Sequence, residues 1–139
     1  MANNPTPGLI IAAPSSGSGK TVLTLGILRA LKKQGVAVSS AKVGPDYIDP
    51  AFHTAAAGRQ CLNLDPWAMR PAVRAQVLDR ISRDSQMIVC EGVMGLFDGA
   101  TATTGSTADV AAWSGWPVVL VVDVRAQAAS AAAIVRGFD

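Results

Sequence analysis

The stretch Leu9-Ile-Ile-Ala-Ala-Pro-Ser-Ser-Gly-Ser-Gly-Lys-Thr21 decides the fold, because it joins a short apolar run directly to a Gly/Ser loop. The run ends at Pro14, which predicts a buried strand over residues 9–13. Beyond Thr21, apolar side chains recur at three-residue steps as far as Gly35, so we expect a helix over residues 21–34. The predicted buried face of this helix consists of Val22, Leu25, Leu28 and Leu31. A strand, a glycine loop and a helix in this order predict a phosphate-binding loop.

This loop is expected to hold the phosphates of ATP. Its glycines let the backbone N–H groups approach an anion closely, and the helix that follows adds the positive end of its dipole. Lys20 is expected to contact the β- and γ-phosphates, and the Thr21 hydroxyl to contact Mg²⁺. Pro14 stands where the usual motif begins with glycine. The predicted nucleotide-binding residues are Ser16, Gly17, Ser18, Gly19, Lys20 and Thr21.

The composition excludes several other classes of protein. Half of the residues are hydrophobic and 16% are charged, with a net charge of +2. This composition predicts one α/β domain over residues 1–139 and gives little electrostatic reason to expect a nucleic-acid partner. No apolar segment is long enough for a membrane span, so we expect no membrane association. Cys61 and Cys90 make no disulfide framework, and a cytoplasmic location fits best.

A second strand is predicted at residues 36–43, and two continuous apolar runs, at residues 87–90 and 118–122, predict further strands that are buried on both faces. Helices are predicted at residues 51–57, 71–84 and 126–136, whereas residues 61–66 are expected to form a connection. Strands that alternate with helices predict an open parallel sheet with flanking helices, the α/β fold of P-loop nucleotide-binding proteins. No closing strand follows the last predicted helix, so we expect a truncated part of this fold.

Carboxylates follow three of the predicted strands. Asp46 and Asp49 lie in a proline-bounded loop after the second strand, while Glu91 and Asp123 end the third and fourth strands. Parallel strands present their carboxyl ends at one edge of a sheet, so these acids are expected to surround the phosphate site. Such a site needs an acid at the end of another strand to hold Mg²⁺, and Glu91 and Asp123 are the two candidates. Residues 92–107, rich in Gly, Thr and Ala, are expected to form a mobile active-site loop.

Four motifs make the sequence resemble a known enzyme family. They are the phosphate loop with Pro14 at its head, Lys42-Val-Gly-Pro-Asp-Tyr-Ile-Asp-Pro50 with His53, Asn63-Leu-Asp65, and Glu91-Gly-Val-Met-Gly-Leu-Phe-Asp-Gly99. In this order, over the whole chain, they resemble the a,c-diamide synthases of cobalamin biosynthesis. The resemblance implies an ATP-dependent synthetase domain, similar in fold to dethiobiotin synthetase. In that family it precedes a glutamine amidotransferase domain, which this chain lacks.

The resemblance also implies a reaction and its ligands. ATP phosphorylates a side-chain carboxylate of cobyrinate or hydrogenobyrinate, and ammonia then attacks the resulting acyl phosphate. The expected cofactors are therefore ATP and Mg²⁺, and the expected substrate is a corrinoid tetrapyrrole. Glutamine or ammonia is expected to arrive through the missing domain. Assembly of a homodimer through an exposed sheet edge stays open.

Individual residues take roles from the same resemblance. Catalysis is expected of Lys20, Asp46, Asp49, Glu91 and Asp98. The implied metal ligands are Thr21 and Glu91, with Asp46 or Asp49 as a third. The implied substrate contacts are Lys42, Tyr47 and Asp98. Asp123 becomes the second choice to Glu91, and His53 is expected to orient its neighbours.

Two alternatives stay open at this point. The nickel-sirohydrochlorin a,c-diamide synthases resemble this chain in the Gly-Pro-Asp-Tyr-Ile-Asp block, so the tetrapyrrole is not fixed. Non-enzymatic ATPase switches also place a phosphate loop on a parallel sheet, but they carry a signature lysine where this sequence has Ser15. We therefore expect an amide ligase rather than a switch.

Overall fold

The computed structural model describes residues 6–139, which form a five-stranded sheet with helices on both faces. No helix in this part of the chain is long and apolar enough to cross a membrane. The elements in chain order are β1 (Gly8–Ala12), α1 (Lys20–Lys33), β2 (Val38–Val43), α2 (Asp49–Ala57), β3 (Leu62–Leu64), α3 (Pro71–Ser82), β4 (Met87–Glu91), α4 (Thr107–Ser114), β5 (Val118–Leu120) and α5 (Ala131–Arg136).

The sheet has the order β3-β2-β4-β1-β5, and every pair of neighbouring strands is parallel. The predicted open parallel sheet is thus confirmed, with one strand more than the sequence indicated. The additional strand, β3, replaces the predicted connection at residues 61–66 and pairs with β2 so that Asn63 lies opposite Lys42. Its three residues, one of them polar, are too few to give an apolar run.

Alternate residues of the central strands pack against the two helical layers. Ile10 of β1 belongs to a buried cluster with Ile81 of α3 and Val110 of α4. Its neighbour Ile11 belongs to a second cluster on the opposite face, with Leu28 of α1. Burial on both faces explains why β1 and β4 read as continuous apolar runs, whereas the expected burial of the last strand on both faces was wrong, because Val119 of the edge strand β5 is 44% exposed.

Three predictions about the helices were wrong in detail. Val22 is 77% exposed, and the buried face of α1 instead runs through Lys20, Thr24 and Leu28. Thr24 tolerates burial because its hydroxyl donates to the Lys20 carbonyl at 2.8 Å. The last helix begins at Ala131 rather than at residue 126, and α4 was not predicted.

Residues 92–96 are hydrogen-bonded to β1 and to the residue that follows it, whereas residues 97–104 are exposed. The Gly92 N–H donates to the Ile11 carbonyl and the Leu96 N–H to the Ala13 carbonyl, both at 2.8 Å. Gly95 and Leu96 are buried, so the first half of this segment packs against the end of β1. It therefore forms one wall beside the phosphate loop.

Candidate active site

The loop between β1 and α1 forms an open cradle. Gly17 and Gly19 have φ of 79° and 88°, and a Cβ atom on either would meet no heavy atom within 4 Å. No side chain among the described residues caps α1, so the N–H groups of its first turn stay available to an anion. Ser18 braces the loop by donating from its hydroxyl to the Ser15 carbonyl at 2.9 Å. Backbone geometry and helix dipole together make this loop suitable for a phosphate group.

A cavity of ≈ 420 Å³ opens beside the cradle. Ser16, Gly17, Gly19, Lys20 and Thr21 line one side, and Lys42, Asp46, Asp49 and Glu91 line the other. The structure thus brings together nine of the twelve site residues that the sequence indicated, and leaves Ser18, Tyr47 and Asp98 outside the lining of this cavity.

Lys20 lies across the mouth of the loop with its side chain largely buried. Its ammonium group donates to the Met94 carbonyl at 2.7 Å and to the Ser15 carbonyl at 3.2 Å. Burial and the positive charge of Lys42 lower the pKa of Lys20. A phosphate in the cradle would oppose both effects, because its negative charge favours the protonated form of Lys20.

Glu91 ends β4 with only 1% of its surface exposed, and both of its carboxylate oxygens have partners. The Thr21 hydroxyl donates to Oε1 at 2.6 Å, and Nε2 of His53 lies 2.6 Å from Oε2. Burial alone would raise the pKa of Glu91, but the hydrogen bonds from His53 and Thr21 and the charge of Lys42 outweigh it and lower the pKa. Glu91 is therefore a buried, ionised carboxylate at the inner wall of the cavity.

Lys42 lies among the carboxylates, where the sequence had indicated a substrate contact. Its Nζ atom is 2.8 Å from Asp49 Oδ2, 3.0 Å from Glu91 Oε1 and 3.2 Å from the Gly92 carbonyl. Burial opposes its charge, yet the hydrogen bond to Asp49 and the charge of Glu91 outweigh that effect and raise the pKa of Lys42. In this arrangement Lys42 is the counter-ion of the acidic residues.

Asp46 mainly builds the loop after β2. Its Oδ1 atom accepts from the N–H groups of Ile48 and Asp49 at 2.8 and 3.1 Å, while Oδ2 lies 3.8 Å from the Lys42 ammonium. The same loop is fixed from β3, because the Asn63 amide donates to the carbonyls of Gly44 and Asp46 at 2.7 and 2.6 Å. The loop thus holds Asp49, rather than Asp46, against the cluster.

The Asp98 side chain forms a hydrogen bond within its own loop, which lies beside the phosphate loop. Its Oδ2 atom accepts the Gly95 N–H at 2.8 Å, and its charge is close enough to act on Lys20. A Cβ atom on Gly95 would lie 2.5 Å from the Pro14 carbonyl oxygen, so glycine is required for this close approach. Asp98 is exposed and reachable from solvent.

Tyr47 and Asp123 stand apart from the carboxylate cluster. Tyr47 is 86% exposed at the tip of the loop that carries Asp46 and Asp49. Asp123 lies on the other side of the phosphate loop, where its carboxylate accepts from Nε of Arg125 at 2.8 Å. The structure therefore places Glu91, and not Asp123, beside Thr21.

The oxygen atoms of Thr21, Asp49 and Glu91 lie close together beside the Lys42 ammonium. The positive charge of Lys42 occupies the place between the carboxylates where a metal ion could bind. Within residues 6–139 no three His, Cys, Asp or Glu side chains are arranged to hold a metal ion. Mg²⁺ prefers oxygen ligands and usually takes one or two carboxylates while keeping several waters. The donor set thus fits Mg²⁺ bound jointly with a phosphate better than a cage made by protein alone.

Two contributions to this site were given no role by the sequence. Met94 acts through its carbonyl, so its side chain gives no indication that it holds Lys20. Asn63 acts across a strand pair that the sequence did not reveal, although the register of β2 and β3 would have indicated it. Only the motif that includes Asn63 pointed to that residue.

Comparison with known proteins agrees with the resemblance found in the sequence. The chain is 53% identical over 131 residues to a hydrogenobyrinate a,c-diamide synthase of Rhizobium meliloti, and 56% identical over 133 residues to one of Brucella anthropi. A third, from Rhodobacter capsulatus, is 54% identical over 136 residues. These alignments cover 94–95% of this chain but only 30–31% of each relative. The chain therefore spans about a third of the length of these curated relatives.

A family model gives the same result over almost the whole chain. The model described as "CobQ/CobB/MinD/ParA nucleotide binding domain" matches residues 9–138, from the first strand to the end of the last helix. This match and the parallel sheet confirm the predicted P-loop α/β fold. The chain belongs to the CobQ/CobB/MinD/ParA nucleotide binding domain family.

Proposed function

We propose that residues 1–139 form the ATP-binding synthetase domain of an enzyme that amidates the a and c acetate carboxylates of hydrogenobyrinate or cobyrinate. The observation that carries this proposal is the contact of Glu91 with Thr21 and Lys42, at 2.6 and 3.0 Å, on the wall of the cavity beside the phosphate loop. The names of the similar proteins support the substrate, since they are hydrogenobyrinate a,c-diamide synthases. These names favour hydrogenobyrinate over nickel-sirohydrochlorin as the substrate.

The reaction requires that a carboxylate be activated. An anionic carboxylate does not react with ammonia, because its oxygen is a poor leaving group. Transfer of the γ-phosphoryl group of ATP to a carboxylate oxygen gives ADP and an acyl phosphate. Ammonia then forms the new C–N bond, and the C–O bond to phosphate breaks. The domain accelerates the first step mainly by positioning the reactants and neutralising charge.

The residues of the cavity divide this task. Lys20 and the amides of residues 16–21 hold the phosphates, while Thr21, Glu91 and Asp49 or Asp46 hold Mg²⁺. When bound, Mg²⁺ neutralises charge that develops on the transferring phosphoryl group. The substrate is contacted by Lys42, which lines the cavity, and by Tyr47 and Asp98, which are exposed outside its lining. The negative charge of Asp98 also favours the protonated form of Lys20.

Ammonia reaches this domain from outside residues 1–139. The relatives are about three times as long as the matched region, which leaves room for a glutamine amidotransferase domain. Cys61 and Cys90 are buried and do not serve as its nucleophile. Two free thiols suit a reducing compartment, so we assign the enzyme to the cytoplasm.

The first test measures nucleotide binding by the chain itself. Isothermal titration with ATP in the presence of Mg²⁺ is expected to show binding, and the Lys20→Met variant is expected to bind about 10- to 100-fold more weakly. The exposed Lys33→Met variant is the matched control, because it removes the same charge at the far end of α1. Equal binding by all three proteins would count against the proposed phosphate site.

The second test concerns the reaction. ATP labelled with heavy oxygen in its β–γ bridge is expected to scramble the label when the protein is given Mg²⁺ and hydrogenobyrinate without ammonia. The Glu91→Gln variant keeps the side-chain shape but removes the charge, so scrambling is expected to stop. Cobyrinate and nickel-sirohydrochlorin in parallel reactions identify the preferred ring. Scrambling at the same rate with and without a tetrapyrrole would refute the assignment as a diamide synthase.

A further inference from the structure

His53 is completely buried although it lies next to an open cavity. It projects from α2 and has no surface exposed to solvent. Its ring lies between Glu91, whose Oε2 is 2.6 Å from Nε2, and Cys61, whose Sγ is 3.6 Å from Nδ1. An imidazole in this place cannot contact a ligand in the cavity directly. Its effect on the site must pass through Glu91.

The chemistry of Glu91 fixes the direction of its hydrogen bond with His53. At Oε1 the Glu91 carboxylate accepts from the Thr21 hydroxyl and the Lys42 ammonium, and a carboxylate group that is ionised only accepts. Nε2 of His53 therefore carries the hydrogen that lies between the two side chains. On the other side of the ring, Sγ of Cys61 lies 3.6 Å from Nδ1 and 3.9 Å from the Leu62 carbonyl, and burial raises the pKa of this thiol to about 11. Cys61 thus supports the ring from behind.

This arrangement separates the two oxygens of Glu91. Oε2 is held by His53 on the buried side, so Oε1 points towards Thr21 and Lys42 on the cavity side. Without His53, Oε2 would be a buried carboxylate oxygen with no partner, which is costly. The carboxylate would then rotate or shift to find a new donor. Such a movement would take Oε1 away from the Thr21 hydroxyl.

We propose that His53 is a positioning residue for the metal site, which orients Glu91 so that Oε1 faces the phosphate loop. The proposal rests on the function proposed above, in which Thr21 and Glu91 hold Mg²⁺. Removing a residue that hydrogen-bonds to a metal-binding carboxylate typically changes metal affinity by about 10- to 100-fold. His53 is expected to act on Mg²⁺ dependence and to leave nucleotide binding without Mg²⁺ unchanged.

Two amide variants separate positioning from general packing. In His53→Gln the side-chain N–H reaches the place of Nε2 and can still donate to Glu91. In His53→Asn the amide ends near the place of Nδ1 and cannot reach Glu91. Both variants are polar, and both lose the imidazole ring. The measurement is the Mg²⁺ concentration that gives half-maximal ATP binding, together with ATP affinity in EDTA.

The expected result is a Mg²⁺ requirement raised at least about tenfold in His53→Asn, and close to that of the unmodified protein in His53→Gln. ATP affinity in EDTA is expected to be equal in all three proteins. If His53→Asn unfolds, His53→Leu, which fills the ring volume without a donor, carries the same expectation. A normal Mg²⁺ requirement in a folded Asn or Leu variant would overturn the positioning role.

The same titration separates this inference from the proposed function. If the unmodified chain binds ATP with no dependence on Mg²⁺, the proposed metal site fails, and the positioning role fails with it. If the unmodified chain depends on Mg²⁺ and the donor-deficient variants depend on it equally, only the role of His53 fails. A fall in ATP affinity in EDTA in both amide variants would show that the ring acts through packing instead.

Discussion

Lys42 Nζ lies 3.0 Å from Glu91 Oε1 in the interior of the protein, and both side chains are almost completely buried. Asp49 adds a second carboxylate at 2.8 Å from the same ammonium group. The lysine charge therefore occupies the space between oxygens that we assign to Mg²⁺. Two cations cannot share these oxygens without strong repulsion, so the ammonium group and free Mg²⁺ should compete.

Removing the charge of Lys42 should make Mg²⁺ a stabilising ligand in the absence of nucleotide. Lys42→Met leaves Glu91 and Asp49 without their counter-ion, which should lower the free energy of unfolding by about 3–5 kcal/mol. Added MgCl₂ should then raise the unfolding temperature of the variant, because the metal binds the folded state alone. The unmodified protein should respond weakly. Thermal unfolding followed by circular dichroism measures both responses.

Lys33→Met is the control for this experiment, since Lys33 is exposed at the end of α1 and distant from the acids. NaCl at equal ionic strength separates metal binding from charge screening. If Lys42→Met is unfolded without metal, recovery of helical signal on addition of MgCl₂ is the expected outcome. Identical Mg²⁺ responses in Lys42→Met and the unmodified protein would rule out the competition.

Lys20 should contribute to nucleotide affinity even without a metal. Its ammonium group links the phosphate loop to residues 92–98 through the Met94 carbonyl. Lys20→Met removes one charge-assisted contact to phosphate, which is worth about 1.5–3 kcal/mol, so ATP affinity in EDTA should fall about 10- to 100-fold. His53→Asn, by contrast, should bind ATP normally under the same conditions. A fluorescent ATP analogue with competition by ATP gives the affinities.

The part of the site that the sequence could reveal is the part built from local patterns. β1, the glycine loop and α1 follow one another without interruption, so their apolar runs and glycines carry the signal. Residue type alone also identified Glu91 and Asp123 as candidates, because each ends an apolar run. The resemblance ranked Glu91 above Asp123, and the structure places Glu91, not Asp123, against Thr21.

The rest depends on contacts between distant residues. Lys42 and Glu91 are 49 positions apart, and His53 and Glu91 are 38 apart, so no spacing in the sequence shows that they meet. β3 escaped prediction because it is short and becomes a strand only by pairing with β2. α4 was not predicted, because its mostly small residues show little helical alternation of polar and apolar side chains. Its first turn is fixed instead by the capping box formed by Ser106 and Asp109.

Glycine substitutions at two positions should have opposite effects. A Cβ atom on Gly95 would meet the Pro14 carbonyl oxygen and the Asp98 carboxylate at 2.5 and 2.6 Å, so Gly95→Ala should cost about 1–3 kcal/mol. Gly26 lies inside α1, and a Cβ atom there would meet nothing within 4 Å. Gly26→Ala should therefore stabilise the protein by about 0.5–1 kcal/mol.

Urea unfolding of the two glycine variants gives both free energies under one set of conditions. Gly95→Ala should also weaken ATP binding, because the crowded backbone lies against the head of the phosphate loop. Gly26→Ala should leave ATP binding unchanged. A neutral Gly95→Ala would mean that the wall formed by residues 92–98 moves freely away from Pro14.

Asp109 should make a pH-dependent contribution to stability through the start of α4. Its carboxylate accepts the Ser106 N–H at 2.9 Å, and the Ser106 hydroxyl accepts the Asp109 N–H at 3.1 Å. The backbone hydrogen bond from Ser106 lowers the pKa of Asp109 below its ordinary value of 3.8. A carboxyl group with a lowered pKa in the folded state adds stability above its unfolded pKa and loses that contribution as the pH falls through the folded pKa.

Asp109→Asn should therefore reduce the free energy of unfolding at neutral pH by about 0.5–1 kcal/mol, the usual value of a helix cap and its charge. The difference from the unmodified protein should shrink in acid, where Asp109 itself becomes neutral. Urea unfolding across the acidic range isolates this residue, because all other groups titrate in both proteins. Asp79→Asn, in a salt bridge on the exposed face of α3, is the control and should have little effect at any pH. A difference between Asp109→Asn and the unmodified protein that stayed constant from neutral to acidic pH would show that the carboxylate charge contributes nothing to the cap.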